Sequence, residues 1–73
     1  MDCSDYRYFF HSVKPFVKFN YFLDLAHIKP SHFSRWLNYN ADFMVREDKI
    51  NILYHLIIDE LAKTLEDVNK KIA

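Results

Sequence analysis

Ser31, His32 and Arg35 stand within five residues of one another, in a stretch whose Phe33, Trp36 and Leu37 fall on a different face at helical spacing. A hydroxyl, an imidazole and a guanidinium along one helix edge are groups suited to hydrogen-bonding the polar edges of another molecule. Arg35 in particular matches a guanine edge or a phosphate, and its structural alternative is an ion pair with Asp24 or Asp42. The other reactive side chains do not converge on a reaction. His11, His27, His32 and His55 fall at no metal-ligand spacing, and Cys3, the single cysteine, supplies neither a zinc pattern nor an internal disulfide. The acid pairs Asp59-Glu60 and Glu66-Asp67 are adjacent on a helix and so point apart. With no glycine in 73 residues there is neither a nucleophile elbow nor a phosphate-cradling loop. These absences argue against an enzyme, and neither a metal nor a cofactor is expected.

The elements that must position these side chains are helical. Hydrophobic residues make up 51% of the chain and aromatics 18%, so bulky side chains compensate for the small core of a single short domain. The lack of glycine also disfavours tight β-hairpins. An all-α, compact domain of four to five helices is expected. Ser4 before Asp5 predicts a first N-cap, followed by Tyr6, Phe9, Phe10, Val13, Phe16 and Val17 at steps that suit a helix. Pro15 denies a hydrogen bond to the His11 carbonyl and predicts a kink or break near Lys14. Asn20 caps an expected second helix from Tyr21 to Ala26, in which Phe22, Leu23, Leu25 and Ala26 are spaced for packing, and Ile28 plugs the turn. Pro30 opens a third helix running to about Tyr39. Residues 38–46 read as turn and loop, with Phe43 or Val45 returning to the core. The longest element is a C-terminal helix from Glu47 to about Lys71, acidic in its first turn and lysine-rich in its last. Its first half offers Ile50, Leu53, Tyr54 and Ile57 to the domain. Its second half places Ile58, Leu61, Leu65, Val68 and Ile72 at alternating steps of three and four, the spacing of a two-helix seam. That seam is open to a second copy of the chain, to the domain's own first helix or to a frayed tail, and the second copy is favoured.

The run Leu25-Ala26-His27-Ile28-Lys29-Pro30-Ser31-His32-Phe33-Ser34-Arg35-Trp36-Leu37-Asn38 resembles the turn and recognition helix of small helix-turn-helix regulators of the Cro and repressor type, carried by phages and mobile elements. The resemblance covers about a fifth of the chain and implies a helix-turn-helix unit at residues 20–39. It also implies sequence-specific binding of double-stranded DNA, with Ser31, His32 and Arg35 reading bases and Lys29, Asn20, Tyr21 and Tyr39 holding the backbone. Where such turns carry glycine this chain has His27, so a positive φ at His27 is expected. Leu23 stands where a small residue is usual, which implies a slightly different helix crossing.

The formal net charge is zero, an uneasy balance for a nucleic-acid binder, but the charge is uneven. Residues 1–46 hold six Lys and Arg against four acids, and residues 47–73 hold four lysines against six acids. A homodimer joined through residues 58–73, with Ile58, Leu61, Leu65, Val68 and Ile72 at the interface, would add the affinity that net charge does not. The alternative is a protein-binding module on the same scaffold, such as a small inhibitor of a host protein. Exposed aromatics would favour it, whereas a basic strip around Lys18, Lys29, Arg35 and Arg46 would favour DNA. The lone cysteine, the lack of a membrane-length apolar run and an N-terminus without signal-peptide order lead to a cytoplasmic expectation, with no membrane partner.

Overall fold

Asp2 and Asp5 begin the first helix by capping each other. The Asp5 amide donates to Asp2 Oδ1 at 3.0 Å and the Asp2 amide to Asp5 Oδ2 at 3.4 Å. The cap therefore lies at Asp2 and not at the expected Ser4, because the reciprocal arrangement needs an acceptor side chain three residues on, which Asp5 supplies to Asp2 whereas Arg7 stands three after Ser4. A computed structural model describes residues 2–72, the side chain of residue 72 excepted. Four α-helices carry the chain: α1 (Cys3–Val13), α2 (Phe19–Leu25), α3 (Pro30–Asn38) and α4 (Glu47–Ile72), with 3-10 turns at Lys14–Phe16 and Asp42–Met44. No strand occurs among the described residues.

Pro15 breaks the first amphipathic run as its missing N–H dictates, and α1 ends at Val13. The second helix starts at Phe19, before the expected Asn20 cap. Lys18 precedes it in extended conformation with no side-chain cap, and Phe22 and Leu23 bury its inner face. Leu25, at a compatible spacing, is exposed instead. Between Phe43 and Val45 the choice falls on Val45, which is 5% exposed against 87% for Phe43.

The core sits where α1, α2 and α3 meet the first half of α4. Phe10, Trp36, Ile50, Leu53 and Ile57 are fully buried there. The Phe10 ring is the hub, edge-on to Phe9, Phe33 and Trp36 at 5.4, 5.4 and 6.0 Å and to Phe19 at 6.1 Å. Tyr6 lies beside it and donates its hydroxyl to Asn51 Oδ1 at 2.8 Å, joining α1 to α4. Among the described residues the buried set contains no charged side chain.

Arg7 provides the polar counterpart of that core. Its Nε donates to the Trp36 carbonyl at 2.8 Å, its guanidinium pairs with Asp42, and its Cζ lies 4.4 Å from the Trp36 ring centroid. One side chain thus satisfies a carbonyl of the last turn of α3, holds the following 3-10 turn and covers the indole face.

The turn between α2 and α3 closes with two crossed backbone bonds, Ile28 N–H to the Leu23 carbonyl at 2.9 Å and His27 N–H to the Asp24 carbonyl at 3.2 Å. That pattern needs a left-handed residue in the middle, and His27 has φ 58°. Ile28 and Leu23, the two positions whose apolar side chains usually accompany such a turn, are both buried. Lys49 on α4 donates its Nζ to the His27 carbonyl at 3.0 Å. A non-glycine residue in this region costs about 1–2 kcal/mol, part of which glycine would return as extra freedom in the unfolded chain. His27→Gly is therefore expected to raise stability by about 0.5–1 kcal/mol, or a few degrees in Tm. A thermal melt showing a clear loss would mean that the imidazole holds the turn.

Candidate nucleic-acid interface

Pro30 begins α3 with its φ preset and no amide hydrogen to satisfy, while Lys29 before it is extended and accepts the Phe33 amide at 3.0 Å. Phe33, Trp36 and Leu37 face inward and are buried. This leaves Ser31, Ser34, Arg35 and Asn38 exposed and His32 half-buried along the outer edge. Asn38 Nδ2 donates to Ser34 Oγ at 3.2 Å, so that pair is ordered within the edge. Ser34 and Asn38 extend the polar edge beyond the three residues singled out from sequence. Their signal was the same helical spacing that marks Ser31 and Arg35 as outward.

Asp42 is engaged by Arg7, which removes one of the two partners open to Arg35. Among the described residues Arg35 forms no ion pair, and the other candidate, Asp24, forms none either. The guanidinium of Arg35 is thus exposed on the outer edge of a helix whose opposite face is locked into the core.

The residues expected to hold a DNA backbone lie at different places. Lys29 and His32 share a cleft of about 250 Å³ with His27, Arg46 and Lys49. Asn20 lies with Pro30, Ser34 and Asn38 beside a smaller depression between α2 and α3. Tyr21 instead lines a groove between α2 and the middle of α4, together with Phe16, Leu61 and Thr64. Tyr39 is 78% exposed at the C-terminal end of α3. Lys49 could not be anticipated from sequence: its place in the cleft depends on how α4 crosses the turn, a contact between residues 22 positions apart.

The second half of α4 leaves the domain. A helix of 26 residues is about 39 Å long, close to the 45 Å longest dimension of a molecule only 21 and 20 Å across in the other directions. Ile58 is half-buried, while Leu61, Leu65 and Val68 are 37%, 62% and 45% exposed. Residue 72, the last of the expected seam, has its side chain outside the described set. Around this half-helix, Leu61, Ala62, Leu65, Val68 and Asn69 form a continuous uncharged arc. Asp59, Glu60, Lys63, Glu66, Asp67 and Lys70 occupy the other side.

Reactive chemistry is sparse. Burial and the nearby Asp42 carboxylate push the Cys3 thiol up, which keeps it protonated and weakly nucleophilic at neutral pH. No cluster of three or more His, Cys, Asp and Glu among the described residues could hold a metal ion. No helix there is long and apolar enough to cross a membrane. The chain matches no protein-family model, and comparison with curated proteins and with solved structures likewise gives no match.

Proposed function

We propose that this protein binds double-stranded DNA in a sequence-specific manner, as a small transcriptional regulator of a phage or mobile element, with α3 as the reading helix. The observation that carries this reading is the outer edge of α3. Ser31 and Arg35 stand exposed on a helix fixed from behind by Phe33, Trp36 and Leu37 and at its C-terminal end by Arg7. A reading helix must be rigid on one side and rich in hydrogen-bonding groups on the other, and α3 has both properties. The left-handed turn at His27 and the fourteen-residue resemblance around it support the same reading. Pairing of two copies through the uncharged arc of α4 supplies the second half-site contact.

The test is a mobility shift or anisotropy titration against the DNA upstream of the protein's own coding region, in low salt. Arg35→Ala is expected to weaken a cognate site by about 1–3 kcal/mol, roughly 5- to 150-fold, and to relax base preference at one position. Lys29→Ala should weaken all duplexes alike. If the wild type retains no duplex at low salt, the DNA reading falls.

A second reading has its own observation. Tyr8, Phe16, Tyr21, Tyr39 and Phe43 are each more than 60% exposed, and Phe16 and Tyr21 share one groove, an exposure of aromatics suited to a protein partner. A scaffold with these properties would serve as an inhibitor of a host protein, and failure of every duplex combined with capture of a single partner would favour it.

A further inference from the structure

The cleft beside the α2–α3 turn concentrates positive charge in a molecule that has none overall. Lys29, Arg46 and Lys49 line it, joined by His27 and His32, and no acid lines it. These are three of the ten Lys and Arg and two of the four histidines of the chain, so the gathering is not a by-product of composition. The five come from separate segments: the turn, the first coil of α3, the approach to α4 and the first coil of α4. Apolar Ile28, Met44 and Val45 form the rest of the wall, which lowers the local dielectric and strengthens attraction for an anion.

One contact sets part of this arrangement in advance: Lys49 Nζ is held over the turn by the His27 carbonyl. The Arg46 side chain is largely in solvent with its Nε 3.4 Å from Asp48 Oδ1, a carboxylate that offsets part of its charge. The volume, about 250 Å³, lies below the range of organic cofactor pockets and suits a small ion or one group of a polymer.

We propose that this cleft is a binding site for a phosphate-type oxyanion. The inference rests on the DNA reading only for its source: in that complex the occupant is a backbone phosphate beside the groove that α3 enters, and otherwise it is a free phosphate or phosphorylated small molecule. His27 and His32 add ring N–H donors to the three fixed charges. The charged groups around them are Lys29, Arg46 and Lys49 in the wall, Asp48 paired to Arg46, and Asp24, which borders an adjoining depression with His27 and Lys29.

The experiment is an NMR titration of backbone and imidazole resonances with inorganic sulfate at constant ionic strength. A parallel titration uses a short duplex. Saturable shifts confined to residues 27–32 and 46–49 are expected. His32→Gln with Arg46→Gln should abolish them without moving the melting temperature. His27→Gly provides an independent check, because it should weaken sulfate binding while stabilising the fold. If duplex and sulfate compete for the same resonances, the site holds a backbone phosphate. Saturation by sulfate with no response to any duplex keeps the oxyanion site, assigns it to a free ligand and removes the DNA reading. Shifts that do not saturate, or that persist in the double variant, overturn the proposal.

Discussion

Phe10→Ala is expected to destabilise the protein by about 3–5 kcal/mol, the usual cost of emptying a fully buried phenylalanine site. A small domain has only about 5–15 kcal/mol in total, so the variant should be largely unfolded at 25 °C or melt close to it. The size of the effect follows from position: Phe10 is fully buried and lies edge-on to Phe9, Phe19, Phe33 and Trp36 at once. No neighbouring side chain can collapse into the gap without leaving its own partner. Phe10→Leu keeps most of the volume and should cost much less, about 1–1.5 kcal/mol. Phe43→Ala is the contrasting case, since its ring is nearly all in solvent and its removal should change stability by less than about 0.5 kcal/mol. Urea titrations followed by circular dichroism would compare the three. A Phe10→Ala protein as stable as Phe43→Ala would mean that the aromatic cluster is not the centre of the fold.

The second large effect concerns assembly. Leu65→Asp places a carboxylate in the middle of the uncharged arc of α4, where it would have to be desolvated against a partner helix. Sedimentation at tens of micromolar is expected to show a dimer for the wild type and a folded monomer for the variant. A two-fold pair would set the two copies of α3 about one DNA turn, roughly 34 Å, apart. Losing one half-site should reduce duplex affinity a hundredfold or more, toward the non-specific range of about 10⁻⁴–10⁻⁶ M. A wild type of monomer mass would remove the dimer and the proposed route to affinity in a protein with no net charge.

Much of this architecture is legible in the residues because its causes are local. The break at Pro15, the start of α3 at Pro30, the left-handed His27 and the inward set Phe33, Trp36 and Leu37 each follow from sterics or spacing within a few residues. What escapes a linear reading depends on contacts between distant segments. Arg7 meets the Trp36 carbonyl 29 residues away and Asp42 35 away, and nothing near Arg7 in the chain signals either. The same holds for Lys49 over the turn. The competition between Asp2 and Ser4 for the first cap, and between Phe43 and Val45 for the core, turned on geometry finer than residue type. On α3 the polar outer edge was visible from helical spacing, whereas the basic cleft beside it exists only once α4 lies across the turn.

The single tryptophan has a practical consequence. Trp36 is fully enclosed, with the Arg7 guanidinium against its face and Phe10 and Phe33 at its sides. Its emission therefore reports whether α1 is seated on α3 and is blind to the far end of α4, whereas the circular dichroism sums all four helices, that far end included. The two optical signals therefore differ in reach: one follows the seating of α1 on α3 alone, the other every helix together. A fluorescence transition displaced from that of the ellipticity would show the protruding rod melting apart from the domain.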